Sequence, residues 1–155
     1  MTNQFMQRAI ELSLKNIKEN RGGPFGAVIV KDNKIIAEGT NLVTSTNDTT
    51  AHAEITAIRS ACKVLNNFHL NGCQMYTSCE PCPMCLGAAY WANLEKIFYA
   101  NTKHDAAKIG FDDSFIYDQL NKPYESRKIP MINTPNNAAI EAFTLWAGKQ
   151  DKIPY

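Results

Sequence analysis

The stretch CQMYTSCEPCPMCLGAAYWANLEKIFYA, from Cys73 to Ala100, decides the fold. Residues 73–78 read as a strand, residues 83–91 as a helix and residues 96–100 as a second strand. Pro83 suits the first helical position, where its missing N–H has no intrahelical partner to lose, and Cys82 then falls at the N-cap. Two strands joined through a helix imply a crossover and a sheet covered by helices.

Upstream, residues 25–31 and 34–43 read as two strands, with Asp32-Asn33 suited to a tight hairpin between them. Gly22, Gly23 and Pro24 punctuate the turn before the first strand. Met6, Ile10, Leu14 and Ile17 recur on one face of a first helix, and Ile55, Ile58, Cys62 and Leu65 on one face of a second. Residues 44–50 form a polar loop between them. Downstream, residues 102–120 read as a helix in two pieces broken near Gly110, residues 129–132 as a fifth strand and residues 137–147 as a last helix. The expected fold is α/β, a three-layer α/β/α sandwich around a mixed five-stranded sheet, with all 155 residues in one domain.

Bulk properties exclude some functions. Sixteen basic and fifteen acidic side chains give a net charge of +1, with no general attraction to nucleic acid or anionic membrane. The longest mostly apolar stretch, residues 84–92, is far shorter than the roughly 20 residues a spanning helix needs. The first ten residues carry no signal-peptide pattern, so the cytoplasm is the expected compartment. Three of the five cysteines fall within seven residues, which suits metal chemistry in a reducing compartment better than disulfides.

Two short motifs carry the chemistry: His52-Ala53-Glu54 and, thirty residues after His52, Pro81-Cys82-Pro83-Met84-Cys85. Each lies where a helix should begin. Exposed N–H groups and the positive end of the helix dipole there lower thiol pKa. One imidazole and two thiolates form a donor set suited to zinc. Three protein ligands leave a fourth tetrahedral position for water, as in catalytic sites. Glu54 should lie beside the metal rather than on it, placed to move a proton.

Other readings of these residues exist. Cys-x-x-Cys alone fits a redox pair or half of a zinc ribbon, but no second pair follows at ribbon spacing. An iron–sulfur run beginning at Cys79 lacks its fourth cysteine, since Ala89 stands there. Spacing does allow Cys79 as a rival zinc ligand.

Together the motifs make the H-x-E…P-C-x-x-C signature of zinc deaminases. The chain resembles the cytidine deaminase superfamily from the first helix to about residue 120. Within it, residues 22–31 (GGPFGAVIVK), 77–87 (TSCEPCPMCLG) and 110–117 (GFDDSFIY), with a final Tyr155, resemble the bacterial guanine deaminases. The resemblance implies a purine-metabolism hydrolase with one Zn2+ per chain on His52, Cys82 and Cys85, and with Glu54 catalytic. It also implies a guanine pocket. Asp113 would read the donor edge of the base, Asn41 would bond the ring, Phe25 and Trp91 would hold its faces, and Tyr155 would close the site. A homodimer exchanging its fifth strand is implied as well.

Pattern alone makes Phe25 and Trp91 core residues, Asn41 a turn residue, and Asp112 or Asp113 a helix cap. Rival functions are a deaminase of another base or nucleoside, a tRNA adenosine deaminase, or a non-catalytic zinc module. After Asn133 the only cations are Lys149 and Lys152, against Glu141 and Asp151, which counts against a nucleic-acid partner.

Overall fold

A computed structural model describes residues 3–155. Contacts divide the chain into two compact units, Met1–Asp113 and Ser114–Tyr155. In the first, α1 (Gln4–Lys18) is followed by β1 (Gly26–Lys31), β2 (Lys34–Thr40), the short α2 (Val43–Thr46) and α3 (Ala53–Leu65). Then come β3 (Cys73–Cys79), α4 (Pro83–Trp91), β4 (Lys96–Asn101) and α5 (Lys103–Lys108). The sheet order is β2-β1-β3-β4; β1 pairs antiparallel with β2 and β3, while β3 and β4 are parallel, as their crossover through α4 requires. Asp32 and Asn33 both take positive φ, 47° and 59°, the conformation a tight β1–β2 turn demands.

β1 is buried along almost its whole length because it is covered on both faces. Ala27 and Ile29 join Met75 and the inner face of α3 (Ala53, Ala57, Ile58, Ala61) in one core. Val28 and Val30 join Tyr76 with Phe5 and Leu12 of α1 in another. This unit is therefore the expected α/β/α arrangement, built on a mixed four-stranded sheet.

Two expectations need correction. The buried stripe of α1 is Phe5, Ala9, Leu12, Ser13 and Asn16, whereas Leu14 and Ile17 are exposed. The period was right and the face wrong, because two polar side chains belong to the inner stripe. The fifth strand over residues 129–132 is not formed in the chain. A strand exists only against a partner edge, and Pro130 has no N–H to donate to one.

The second unit holds α6 (Ser114–Leu120), a 3-10 turn (Tyr124–Ser126) and α7 (Asn137–Gly148). Arg127 organises its turn: the guanidinium lies 4.6 Å from the Tyr124 ring centroid and donates to the carbonyls of Leu120 and Lys122. Asn136 caps α7 by accepting from the Ala138 N–H.

Candidate metal centre

Two helices begin at the site. His52 is the N-cap of α3 and Cys82 the N-cap of α4, both extended at ψ 159° and 169°, and neither uses its side chain to cap. The imidazole and thiol are thereby free to turn toward each other. α3 is held close to the sheet at Gly39, where a Cβ would lie 2.2 Å from the Ala53 carbonyl and 2.4 Å from the Ala57 nitrogen. The Thr56 hydroxyl lies 2.7 Å from the His52 carbonyl and 2.9 Å from that of Thr40, fastening the first turn of α3 to the end of β2.

His52 Nδ1 stands 3.5 Å from Cys82 Sγ and 3.5 Å from Cys85 Sγ, and the three donor atoms all lie within 4.8 Å of one another. Zinc bound tetrahedrally by nitrogen and sulfur at ordinary lengths places those atoms about 3.6 Å apart. The donor set and its spacing thus fit zinc. Cys79 does not join them: its thiol donates to the Thr102 carbonyl at 3.7 Å, and burial pushes its pKa up to about 11. The geometry settles what spacing left open.

The Cys82 thiol is pulled down to about 4, first by the hydrogen bond from Cys85 and then, against burial, by His52. Cys85 is pushed upward, first by its bond to Cys82, then by burial and the Glu54 carboxylate. His52 is raised chiefly by its hydrogen bond to the Cys82 sulfur.

Glu54, at the second position of α3, is buried. Its Oε2 accepts from Cys85 Sγ at 3.5 Å and its Oε1 from the Thr77 hydroxyl at 3.4 Å. It stands beside the three-donor group and is not a member of it. Burial raises its pKa, as does the Cys82 charge, so its carboxyl accepts a proton more readily than an exposed one.

Of the expected base contacts, Asn41 is 5% exposed at the end of β2. Its Oδ1 accepts from the N–H groups of Gly23 and Val43, at 3.2 and 3.3 Å. Phe25 is half-buried and meets Phe111 edge-on at 4.9 Å between ring centroids. Asp113 is half-buried, and its carboxyl is raised first by burial and then by the Cys82 charge, with Lys103 opposing. The fold does not bring Trp91 to the three donors. It ends α4, about 13 Å of helix rise from Cys82, and is 69% exposed. Tyr155 belongs to the second unit.

Sequence reading missed Thr77, Phe111 and Asn16. Thr77 could have been found as a polar residue inside an otherwise apolar buried strand, and Asn16 as a polar residue in the true inner stripe of α1. Phe111 carries no local signal, since its partner lies in another loop.

Comparison with known proteins agrees with this geometry. Residues 1–101 match the family model described as the cytidine and deoxycytidylate deaminase zinc-binding region. The chain is 54% identical over 151 residues, 97% of each sequence, to a guanine deaminase of Bacillus subtilis. It superposes on the crystal structure of guanine deaminase from Bacillus subtilis with a TM-score of 0.96 at 52% identity, covering 100% of this chain and 99% of that one. A tRNA-specific adenosine deaminase of Aquifex aeolicus is 44% identical over 77 residues, 50% of this chain and 51% of that protein.

Proposed function

The chain belongs to the cytidine and deoxycytidylate deaminase family, and on that premise we propose that it is a zinc-dependent aminohydrolase converting guanine and water to xanthine and ammonia. The observation that carries this reading is 54% identity to a guanine deaminase along 97% of both sequences, where the tRNA-specific adenosine deaminases match at 44% or less over 50–71% of this chain. Phe111, Asp113 and the whole second unit lie beyond residues 1–101, the part that the family model matches, where a branch would be expected to differ in substrate.

One zinc per chain would be held by His52 Nδ1 and the sulfurs of Cys82 and Cys85. Bound there, it supplies a Lewis acid able to lower the pKa of water from about 15.7 to about 7. Glu54 takes the proton of the attacking water, holds it inside a buried site, and returns it to the exocyclic amine so that ammonia departs. A raised carboxyl pKa suits both halves of that shuttle. Asp113 accepts from the N1–H and amine edge of guanine, a pattern that cytosine lacks. Asn41 has its Oδ1 occupied by two backbone N–H groups, so its Nδ2 is the side that donates to a ring acceptor. Phe25, held edge-on by Phe111, offers its face to the base.

Tyr155 would close the pocket, and all 155 residues would work as one deaminase domain. A homodimer with exchanged 129–132 segments would supply the fifth strand. Exposed Ile129 and Ile132 and the exposed Phe98 and Tyr99 of β4 support an unmet edge. Five free cysteines support a cytoplasmic location. Among the described residues no helix is long and apolar enough to cross a membrane. The near-neutral charge supports a free base as substrate over nucleic acid.

Ammonia release from guanine, cytosine, adenine, their nucleosides and tRNA tests the assignment. Rapid release from guanine alone is expected. Turnover of tRNA in its place would move the chain to the adenosine branch, and a zinc-loaded protein silent on every substrate would make it a binding module.

A further inference from the structure

Asn16 is 1% exposed, lies on α1, was given no role above, and spends its side-chain hydrogen bonds on two segments that carry proposed base contacts. Its Nδ2 donates to the Asn41 carbonyl at 2.8 Å and to the Gly23 carbonyl at 2.9 Å. The Gly23 N–H in turn donates to Asn41 Oδ1 at 3.2 Å, and the Asn41 N–H to the Phe25 carbonyl at 3.2 Å. Gly22 lies so close that a Cβ there would stand 2.3 Å from the Asn41 carbonyl oxygen and 2.8 Å from its Oδ1. One buried amide therefore fixes both segments, residues 22–25 and residue 41, in a single arrangement.

The arrangement has an energetic oddity. Asn16 Oδ1 is buried and accepts no hydrogen bond, a state that costs about 1–3 kcal/mol in a protein interior. An apolar side chain would avoid that penalty but would take from the Asn41 carbonyl its donor, and leave the Gly23 carbonyl with the Phe25 N–H in place of two donors. Among the described residues, the Asn16 amide thus serves the two segments that carry Phe25 and Asn41.

We propose that Asn16 is a positioning residue for substrate binding: through the Asn41 and Gly23 carbonyls it orients the Asn41 amide so that Nδ2 faces the bound base. This rests on the reading of Asn41 as a purine contact. The Asn16 side chain bonds to the Gly23 and Asn41 carbonyls rather than to the metal ligands or Glu54, so its effect falls on affinity and not on the chemical step.

The test is a double-mutant cycle on the full-length, zinc-loaded enzyme, with guanine as substrate and zinc content and thermal unfolding read on the same samples. Asn16→Ala should raise KM about 3–10-fold, with kcat changed less than about two-fold and zinc unchanged. In the Asn41→Ala background the same substitution should raise KM no further, because the group it orients is gone. Asn16→Ser repeats the cycle should the alanine variant not be recovered folded. An unchanged KM in the single variant, an equal rise in both backgrounds, or a loss confined to zinc content or kcat would each overturn the proposal. Should Asn41→Ala itself leave KM untouched, the reading of Asn41 falls first and takes this one with it. A neutral Asn16 variant beside a damaged Asn41 variant sinks only this one.

Discussion

Glu54 shows at the scale of a single residue how the site trades stability for function. A carboxyl group enclosed beside two sulfurs is held in a place that disfavours its charge, though Thr77, Cys85 and its own backbone N–H reach it. Glu54→Gln keeps the shape and removes both the buried charge and the basic oxygen. Zinc content should stay as in the parent, the unfolding temperature should be no lower, and kcat should fall by about 10²–10⁴-fold; turnover surviving in zinc-loaded protein would take the proton shuttle away from Glu54. Asp113 is a different case, since its proposed role is to read the base rather than to take part in the chemical step. Asp113→Asn exchanges one acceptor oxygen for a donor that faces the donors of guanine. Its KM should therefore rise by about 10–100-fold while kcat changes much less, and steady-state kinetics showing the reverse split would place Asp113 in the chemical step. Both residues were legible in the sequence. Glu54 stands in a short motif whose chemistry is local, and Asp113 in a stretch, residues 110–117, that carries the resemblance to guanine deaminases. Asn16 and Phe111 were not, because what selects them is a partner in a distant segment.

At the scale of elements, the site depends on where α3 starts, and that is fixed by contact with β2. Gly39 leaves no room for a side chain beneath the Ala53 carbonyl. Gly39→Ala must lift the first turn of α3, which carries His52 and Glu54, and overpacking of this kind costs about 1–3 kcal/mol. Urea unfolding of the variant should show that loss together with weakened zinc retention; a stable variant holding zinc normally would show that the helix can shift without harming the site. The Arg8–Glu38 bridge joins α1 to β2 with bonds of 2.7 and 2.9 Å, and its Arg8 partner holds Glu38 below its usual pKa. A depressed carboxyl stabilises the fold above its unfolded pKa and ceases to do so as pH falls through the folded one. The stability gap between the parent and Glu38→Gln should thus be present at about pH 7 and close toward about pH 3, and a gap independent of pH would remove the charge from the explanation. The β3-α4-β4 unit was readable because Pro83 and the alternation around it are signals a short window contains. The inner face of α1 was not. Leu14 and Ile17 are apolar yet exposed, while Ser13 and Asn16 are polar yet buried, and only the neighbours of the helix distinguish them. Strand formation over residues 129–132 was beyond the sequence for a stronger reason, since a strand is a property of two segments.

At the scale of the whole molecule, the second unit has apolar side chains without a core. Ile129, Ile132 and Phe143 are 81%, 83% and 76% exposed, and neither α6 nor α7 has a buried residue. A surface of this kind marks an interaction site in a stable protein. Cover by a second copy gives it the simplest occupant, and closed two-fold assembly is the commonest form such self-association takes. Sedimentation at micromolar protein should find a dimer. The sharper question is whether each copy lends its C-terminal end to the other's site, as an exchanged segment ending in Tyr155 would. On the proposed roles, Glu54→Gln would lack the proton shuttle and Tyr155→Ala the closing ring, so each variant dimer would be impaired at both sites. Mixed by unfolding and refolding together, half of the dimers carry one chain of each kind. If Tyr155 acts across the dimer, one site in each mixed dimer combines an intact Glu54 with the tyrosine of its neighbour, and total activity should return to about one quarter of the parent value. If Tyr155 closes the pocket of its own chain, no site regains both groups and the mixture stays at the average of its components. Activity at that average in a refolded, zinc-loaded mixture shown to contain mixed dimers would confine each active site to a single chain.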